Sequence, residues 1–202
     1  MPVINLGVLV SGRGTNLQAI IEAIQEGKIE GRISIVLSDN REAYALKRAE
    51  QNNLETRYVD FKSFKNREDY DKKIVEYLKE KNVELVVLAG YMRILTPYFI
   101  KVYKNRIMNI HPALLPSFPG LNAQRQALEY GVKISGCTVH FVDEGVDSGP
   151  IILQRAVEVK DEDTEESLAE RILKEEHQIY PQAIQLFAQG RLLIKGRRVY
   201  IQ

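Results

Sequence analysis

One cysteine, almost no net charge and no apolar run long enough to span a bilayer: these absences bound what a chain of 202 residues can be. Cys137 stands alone, so no internal disulfide forms, and structural zinc sites built on grouped cysteines are excluded. A reducing, cytoplasmic compartment is the matching expectation. Lys plus Arg number 28 against 27 Asp plus Glu, so no global field draws the chain onto nucleic acid or an anionic membrane. Any anion site must be local. The opening Met1-Pro2-Val3-Ile4-Asn5 has neither a basic n-region nor a cleavage site, and the apolar run behind it breaks at Gly7 and ends at Ser11. Three dispersed histidines without paired spacing argue against a metal, and Gly-x-Ser-x-Gly and Walker signatures are missing. No repeat, low-complexity tract or linker divides the chain, so 1–202 reads as one domain.

What is present is an alternation of short apolar runs with segments of helical periodicity. Val3 to Val10 reads as a strand, and Leu17, Ile20, Ile21 and Ile24 then fall on one face of a helix over 16–25. Ile33 to Leu37, Ala43 to Asn52 and Glu55 to Val59 continue as strand, helix and extended piece. A helix over 69–81 precedes Leu85-Val86-Val87-Leu88-Ala89, whose unbroken apolar character fits a strand buried on both faces. Arg106 to Ile110 is another strand, followed by a proline-rich loop from His111 to Gly120. Alternating extended segments over 133–142 and 151–159 suggest an antiparallel addition, a helix capped at Thr164 runs to about Ala188 with a kink expected near Pro181, and 191–202 reads as a terminal strand or hairpin. The fold class is α/β: a mostly parallel twisted sheet, Rossmann-like, with helices on both faces and an antiparallel extension in the C-terminal half. Ligands should gather at the carboxyl ends of its strands.

Two features carry chemistry. In Ser11-Gly12-Arg13-Gly14-Thr15-Asn16 a strand hands over to a helix, so free amides and the positive helix end converge. A dinucleotide fingerprint would need glycine where Leu17 stands, although Asp39 does imitate its acidic ribose ligand; polar Thr15 and Asn16 favour a phosphate monoester. In Asn109-Ile110-His111-Pro112, alternation sends Asn109 and His111 to the same side at a strand's carboxyl end. Acyl-type transfer to an amine needs a donor aimed at the developing oxyanion, a group that handles the amine's proton, and a carboxylate that sets that group's charge. Asp147 is a candidate for the last role, with Asp143 and Glu144 as rivals on the same glycine-punctuated loop. His140, inside a strand, and His177, on the last helix, read as structural histidines.

The stretches 11–20, 88–95, 109–116 and 139–150 together resemble folate-dependent formyltransferases, in the branch that formylates phosphoribosylglycinamide for purine synthesis. The resemblance covers essentially the whole chain, in order and spacing. It implies transfer of the formyl group of 10-formyltetrahydrofolate to the ribotide amine, with Asn109, His111 and Asp147 catalytic and no metal. It implies that Gly14, Thr15 and Asn16 meet the substrate phosphate, while Leu173, Lys174, Glu175 and Glu176 help hold its ribose. It implies a folate cleft formed by Met92, Arg93, Ile94 and Leu95, Asn109, and the loop Asp143, Glu144, Gly145, Val146 and Asp147, with Arg67 near the tail carboxylates. The phosphate-binding half is then about 1–100 and the folate and catalytic half about 101–202, in a monomer or homodimer acting on small molecules. Asn122 and Gln124 stand where relatives often carry histidines. A carboxylate beside His111 is expected to raise the imidazole's pKa and keep it partly charged near neutral pH.

Overall fold

The structure is a computed structural model that describes residues 3–202. The reading of Met1 and Pro2 lies outside the described residues. Strands β1 (Ile4–Val10), β2 (Gly31–Ser38), β3 (Thr56–Tyr58), β4 (Leu85–Leu88) and β5 (Ile107–His111) form the parallel part of one sheet, in the spatial order β3-β2-β1-β4-β5. Strands β6 (Ile134–Phe141) and β7 (Ile151–Glu158) extend it antiparallel, and a terminal hairpin of β8 (Leu192–Lys195) and β9 (Arg198–Ile201) joins through β9, which runs parallel to β7. The expected mixed sheet is therefore present.

Period-two alternation decides which layer each strand residue enters. Leu6, Val8 and Val10 of β1, with Leu85 and Val87 of β4, pack under helices α1 (Thr15–Gln25), α2 (Tyr44–Gln51) and α6 (Glu165–Ala188). Leu9, Val86 and Leu88 enter the opposite layer, closed by α3 (Arg67–Glu80) and α4 (Pro97–Val102). Both faces are covered, which explains why these strands are apolar throughout instead of alternating. The α4 helix escapes the sequence pattern because it is six residues long, begun by a proline after Thr96, with Phe99 as its one buried residue. Helix α5 (Ala123–Tyr130) escapes because it buries only two alanines. The last helix runs unbroken through Pro181.

One tyrosine ties this packing to the sheet's working edge. Tyr180 of α6 is fully buried, and its hydroxyl lies 2.9 Å from the carbonyls of both Leu88 and Met108. The first ends β4 and the second precedes Asn109 in β5, so the two flank the register in which Leu88 faces Asn109. The two carbonyls share the one hydrogen of the phenol, and removing the hydroxyl takes that donor from a buried seam, a loss that costs about 1–3 kcal/mol. Tyr180→Phe is accordingly expected to lower the unfolding free energy by about that amount in urea titrations. An unchanged midpoint would remove this bond from the account of the β4–β5 seam.

Candidate active site

A cleft of about 390 Å³ opens at the carboxyl ends of β4 and β5. Its walls are the segment from Gly90 to Leu95, the turn at Gly120 to Ala123, and the loop from Val142 to Asp147. Asn109 and His111 reach it from β5, as alternation requires. The cross-strand register sets His140 of β6 opposite Asn109 and Thr138 opposite His111.

The loop leaving β6 brings a carboxylate to this edge. Asp147 adopts a left-handed backbone, φ 49°, and places Oδ2 3.2 Å from His111 Nδ1 and Oδ1 3.4 Å from Asn109 Nδ2. The backbone N–H of Gly120 donates to Oδ2 at 2.8 Å. Its two rivals are placed elsewhere: Asp143 Oδ1 accepts from the Ser148 hydroxyl at 2.6 Å and from Gly145 N–H at 3.2 Å, shaping the loop, while Glu144 is exposed. Asp147 is thus the carboxylate that meets the imidazole. His140 was missed as a site residue. Its Nε2 lies 3.2 Å from Asn109 Nδ2 and 3.6 Å from Asp147 Oδ1, with Nδ1 2.9 Å from the Phe141 carbonyl. The alternating pattern showed the face it occupies, but not the register that sets it beside Asn109.

Burial and charge compete at the histidine. Desolvation pulls the His111 pKa below its ordinary value, against the opposing pull of Asp147 and of the Phe118 carbonyl, 2.8 Å from Nε2. The expected upward shift is therefore corrected: the carboxylate is present, but burial outweighs it. Burial pushes the Asp147 carboxyl upward as well, yet His140, the Gly120 N–H and His111 together hold it below the usual carboxylate range. Each ring nitrogen of His111 faces an oxygen, and a neutral imidazole carries one N–H. A second proton therefore finds its acceptor already in place.

The glycine turn forms a second polar centre. Gly14 has φ 72°, and a Cβ there would lie 2.7 Å from the Ala45 Cα, so only glycine fits this approach of α1 to α2. No side chain caps the start of α1, leaving its first amides free. Asn16 donates through Nδ2 to Glu176 Oε2 at 2.8 Å, while its buried Oδ1 has no partner among the described residues. Burial raises the pKa of Glu176, and the Asn16 bond opposes it. Of the four α6 residues singled out, Glu176 alone joins the turn by a hydrogen bond among the described residues; Lys174 is exposed and Leu173 and Glu175 half-buried. On the segment after β4, Arg67 Nη2 donates to the Ile94 carbonyl at 2.5 Å, and the Arg93 side chain turns to Asp39, 2.7 Å away. Among the described residues, His, Cys, Asp and Glu form no cluster able to hold a metal ion, and no helix is long and apolar enough to cross a membrane.

Comparison with known proteins gives concordant matches. Residues 4–184 match the family described as formyl transferase. The phosphoribosylglycinamide formyltransferase of Escherichia coli is 45% identical over 188 residues, 93% of this chain and 89% of that protein. The trifunctional purine biosynthetic protein adenosine-3 of Homo sapiens is 48% identical over 185 residues, 92% of this chain; the chain spans only 18% of that protein's length. A crystal structure of glycinamide ribonucleotide transformylase 1 from Symbiobacterium toebii superposes with TM-score 0.97 at 55% identity, covering 98% of this chain and 94% of the other.

The electrostatic balance at His111 predicts a titration. Its imidazole resonances should show a midpoint below 6.5, and Asp147→Asn, which removes the one nearby negative charge opposing burial, should move that midpoint lower still. Between the lowered value and the ordinary one the unfolded chain binds the extra proton and the native chain does not. The stability contribution of neutral His111 is thus complete above about pH 6.5 and is lost as pH falls through the folded midpoint. A wild-type midpoint above 6.5 would contradict the dominance of burial.

Proposed function

The chain belongs to the formyl transferase family and has the activity of its phosphoribosylglycinamide members in purine biosynthesis, and from that premise we propose how the cleft and the glycine turn perform it. The observation that carries the reading is the meeting of Asn109, His111 and Asp147 in one cleft that also opens to the segment from Met92 to Leu95.

The acceptor phosphate lies on the amides of Gly14, Thr15 and Asn16 at the uncapped start of α1, where the helix end favours an anion. The unpartnered Asn16 Oδ1 and the neighbouring Glu176 carboxyl then receive the hydroxyls of the ribose, beside Leu173, Lys174 and Glu175. The donor, 10-formyltetrahydrofolate, enters the cleft as a second substrate. Apolar Leu95 and Val142 suit the flat pterin, and the backbone of Met92 to Leu95 and of Asp143 to Asp147, with Glu144, Gly145 and Val146 between, offers polar groups to its edge. Arg67, held against the Ile94 carbonyl beside the cleft and not among its lining residues, is the cation we assign to the tail carboxylates. In this reading residues 1–202 act as one unit, the first half chiefly holding phosphate and the second chiefly holding folate and the catalytic groups.

The ribotide nitrogen attacks the formyl carbon, a new C–N bond forms, and the formyl oxygen gains negative charge. The Asn109 N–H that otherwise points at Asp147 Oδ1 across 3.4 Å meets that oxygen. The amine sheds a proton as it reacts; His111, neutral beforehand, takes it, and Asp147 stabilises the imidazolium across 3.2 Å. The bond to the folate nitrogen then breaks, and that nitrogen receives both the electron pair and, directly or through water, the proton. His140 holds the Asn109 amide in place through its Nε2.

Loss of one oxyanion donor costs about 10²–10³ in turnover, so Asn109→Ala should fall in that range. Asp147→Asn should lower kcat more than it weakens ribotide binding, because its role lies in the transition state. Folate absorbance decides among activities. Tetrahydrofolate released only with ribotide present marks the transferase, release without it marks a hydrolase, and no release in either case marks a binding module.

A further inference from the structure

Asp39 is absorbed by neither substrate site, yet it lies between them. Its carboxylate, at the end of β2, is nearly buried, with the side chain 9% exposed. Oδ1 accepts from the Ser11 hydroxyl at 2.6 Å, and Oδ2 lies 2.7 Å from Arg93 Nε. Ser11 begins the glycine turn. Arg93 belongs to the folate-facing segment after β4, and its guanidinium stacks 3.8 Å from the centre of the Phe61 ring. The Ser11 Oγ in turn accepts the Met92 N–H at 2.9 Å. A closed chain of contacts thus runs from turn to carboxylate to arginine and back through Met92.

The order of donation matters. A hydroxyl carries one hydrogen, and Asp39 fixes that of Ser11, so the lone pairs of Oγ are turned toward Met92 N–H. Without the carboxylate the hydroxyl rotates, and Met92 loses a defined acceptor. The segment needs such anchoring, since Met92 and Ile94 are 68% and 60% exposed and supply little packing of their own. Its other holds are the Ser11 N–H bond to the Gly90 carbonyl at 3.1 Å, the contact of the Tyr91 and Tyr70 hydroxyls, the Arg93 stack on Phe61 and the Arg67 bond to the Ile94 carbonyl, none of which fixes the Met92 N–H. A largely buried ion pair contributes little net stability compared with an apolar pair of the same size, which makes fixing one geometry the better reason for it.

We propose that Asp39 is a positioning residue that couples the two substrate sites: order imposed on the glycine turn by the acceptor phosphate passes through Ser11, Asp39 and Arg93 to the folate wall, and the reverse. The coupling rests on the placement of phosphate and folate proposed above. By linkage, each substrate then tightens the other by the same factor.

The test is a binding cycle with tetrahydrofolate, which has no formyl group to transfer, titrated by calorimetry with and without saturating ribotide. Wild type should bind tetrahydrofolate about fivefold or more tightly when ribotide is present. Asp39→Asn, which keeps the volume and removes the charge, should bring that ratio close to one, while kcat at saturation of both substrates falls less than about threefold. Ser11→Ala should do the same, and the double variant should be no worse than either single one. A wild-type ratio of one, or a wild-type ratio retained in both folded variants, overturns the coupling even if their melting temperatures drop. A loss confined to kcat also overturns it. Failure of the wild type to bind either ligand would instead overturn the functional reading on which the coupling stands.

Discussion

The contact of His111 with Asp147 is the constraint around which the rest is arranged. Its two halves come from different parts of the sheet: the imidazole from the last parallel strand, the carboxylate from the loop that leaves the first antiparallel one. They meet because β6 runs antiparallel to β5 in the register that sets His140 opposite Asn109, and the loop after β6 folds back over that pair to bring Asp147 to His111. The left-handed backbone of Asp147 and the N–H of Gly120 then hold the carboxylate on target. Tyr180, bonded to the carbonyls of Leu88 and Met108, supports the same seam from beneath.

The charges at this edge are few and largely enclosed. A neutral resting imidazole between two oxygens and a carboxylate kept ionised by its donors can take up one proton without rearrangement, which suits a reaction that sheds a proton from an amine and returns it to a leaving nitrogen. In the proposed reading the acceptor's charge is handled elsewhere, at the helix start beyond Gly14, where backbone amides suit an anion without adding a cation near the reacting atoms. The chain's near-zero net charge is consistent with this local use of electrostatics.

Much of this was legible in the sequence, for physical reasons. The strands buried on both faces declare themselves as apolar runs, and alternation alone puts Asn109 and His111 on one side of β5. The glycine turn is legible because strand, glycines and helix follow one another within a few residues. Three things depend on pairing or burial, which periodicity does not contain. His140 joins the site only through the register that sets it opposite Asn109. The downward shift of His111 depends on how deeply the ring is enclosed. Asp39 has the position of a ribose ligand in a dinucleotide fold, but its carboxylate is already engaged by Ser11 and Arg93.

Following the carbon itself tests the central claim most directly. With a ¹³C-labelled formyl group on the folate and unlabelled ribotide, carbon NMR reports where the label goes. The expected result is a formamide signal on the ribotide nitrogen that grows as the folate signal falls, with no labelled formate, and that slows by about 10²–10³ in Asn109→Ala. Label recovered as formate, or passed to the ribotide at an undiminished rate without Asn109, would contradict direct transfer at this site.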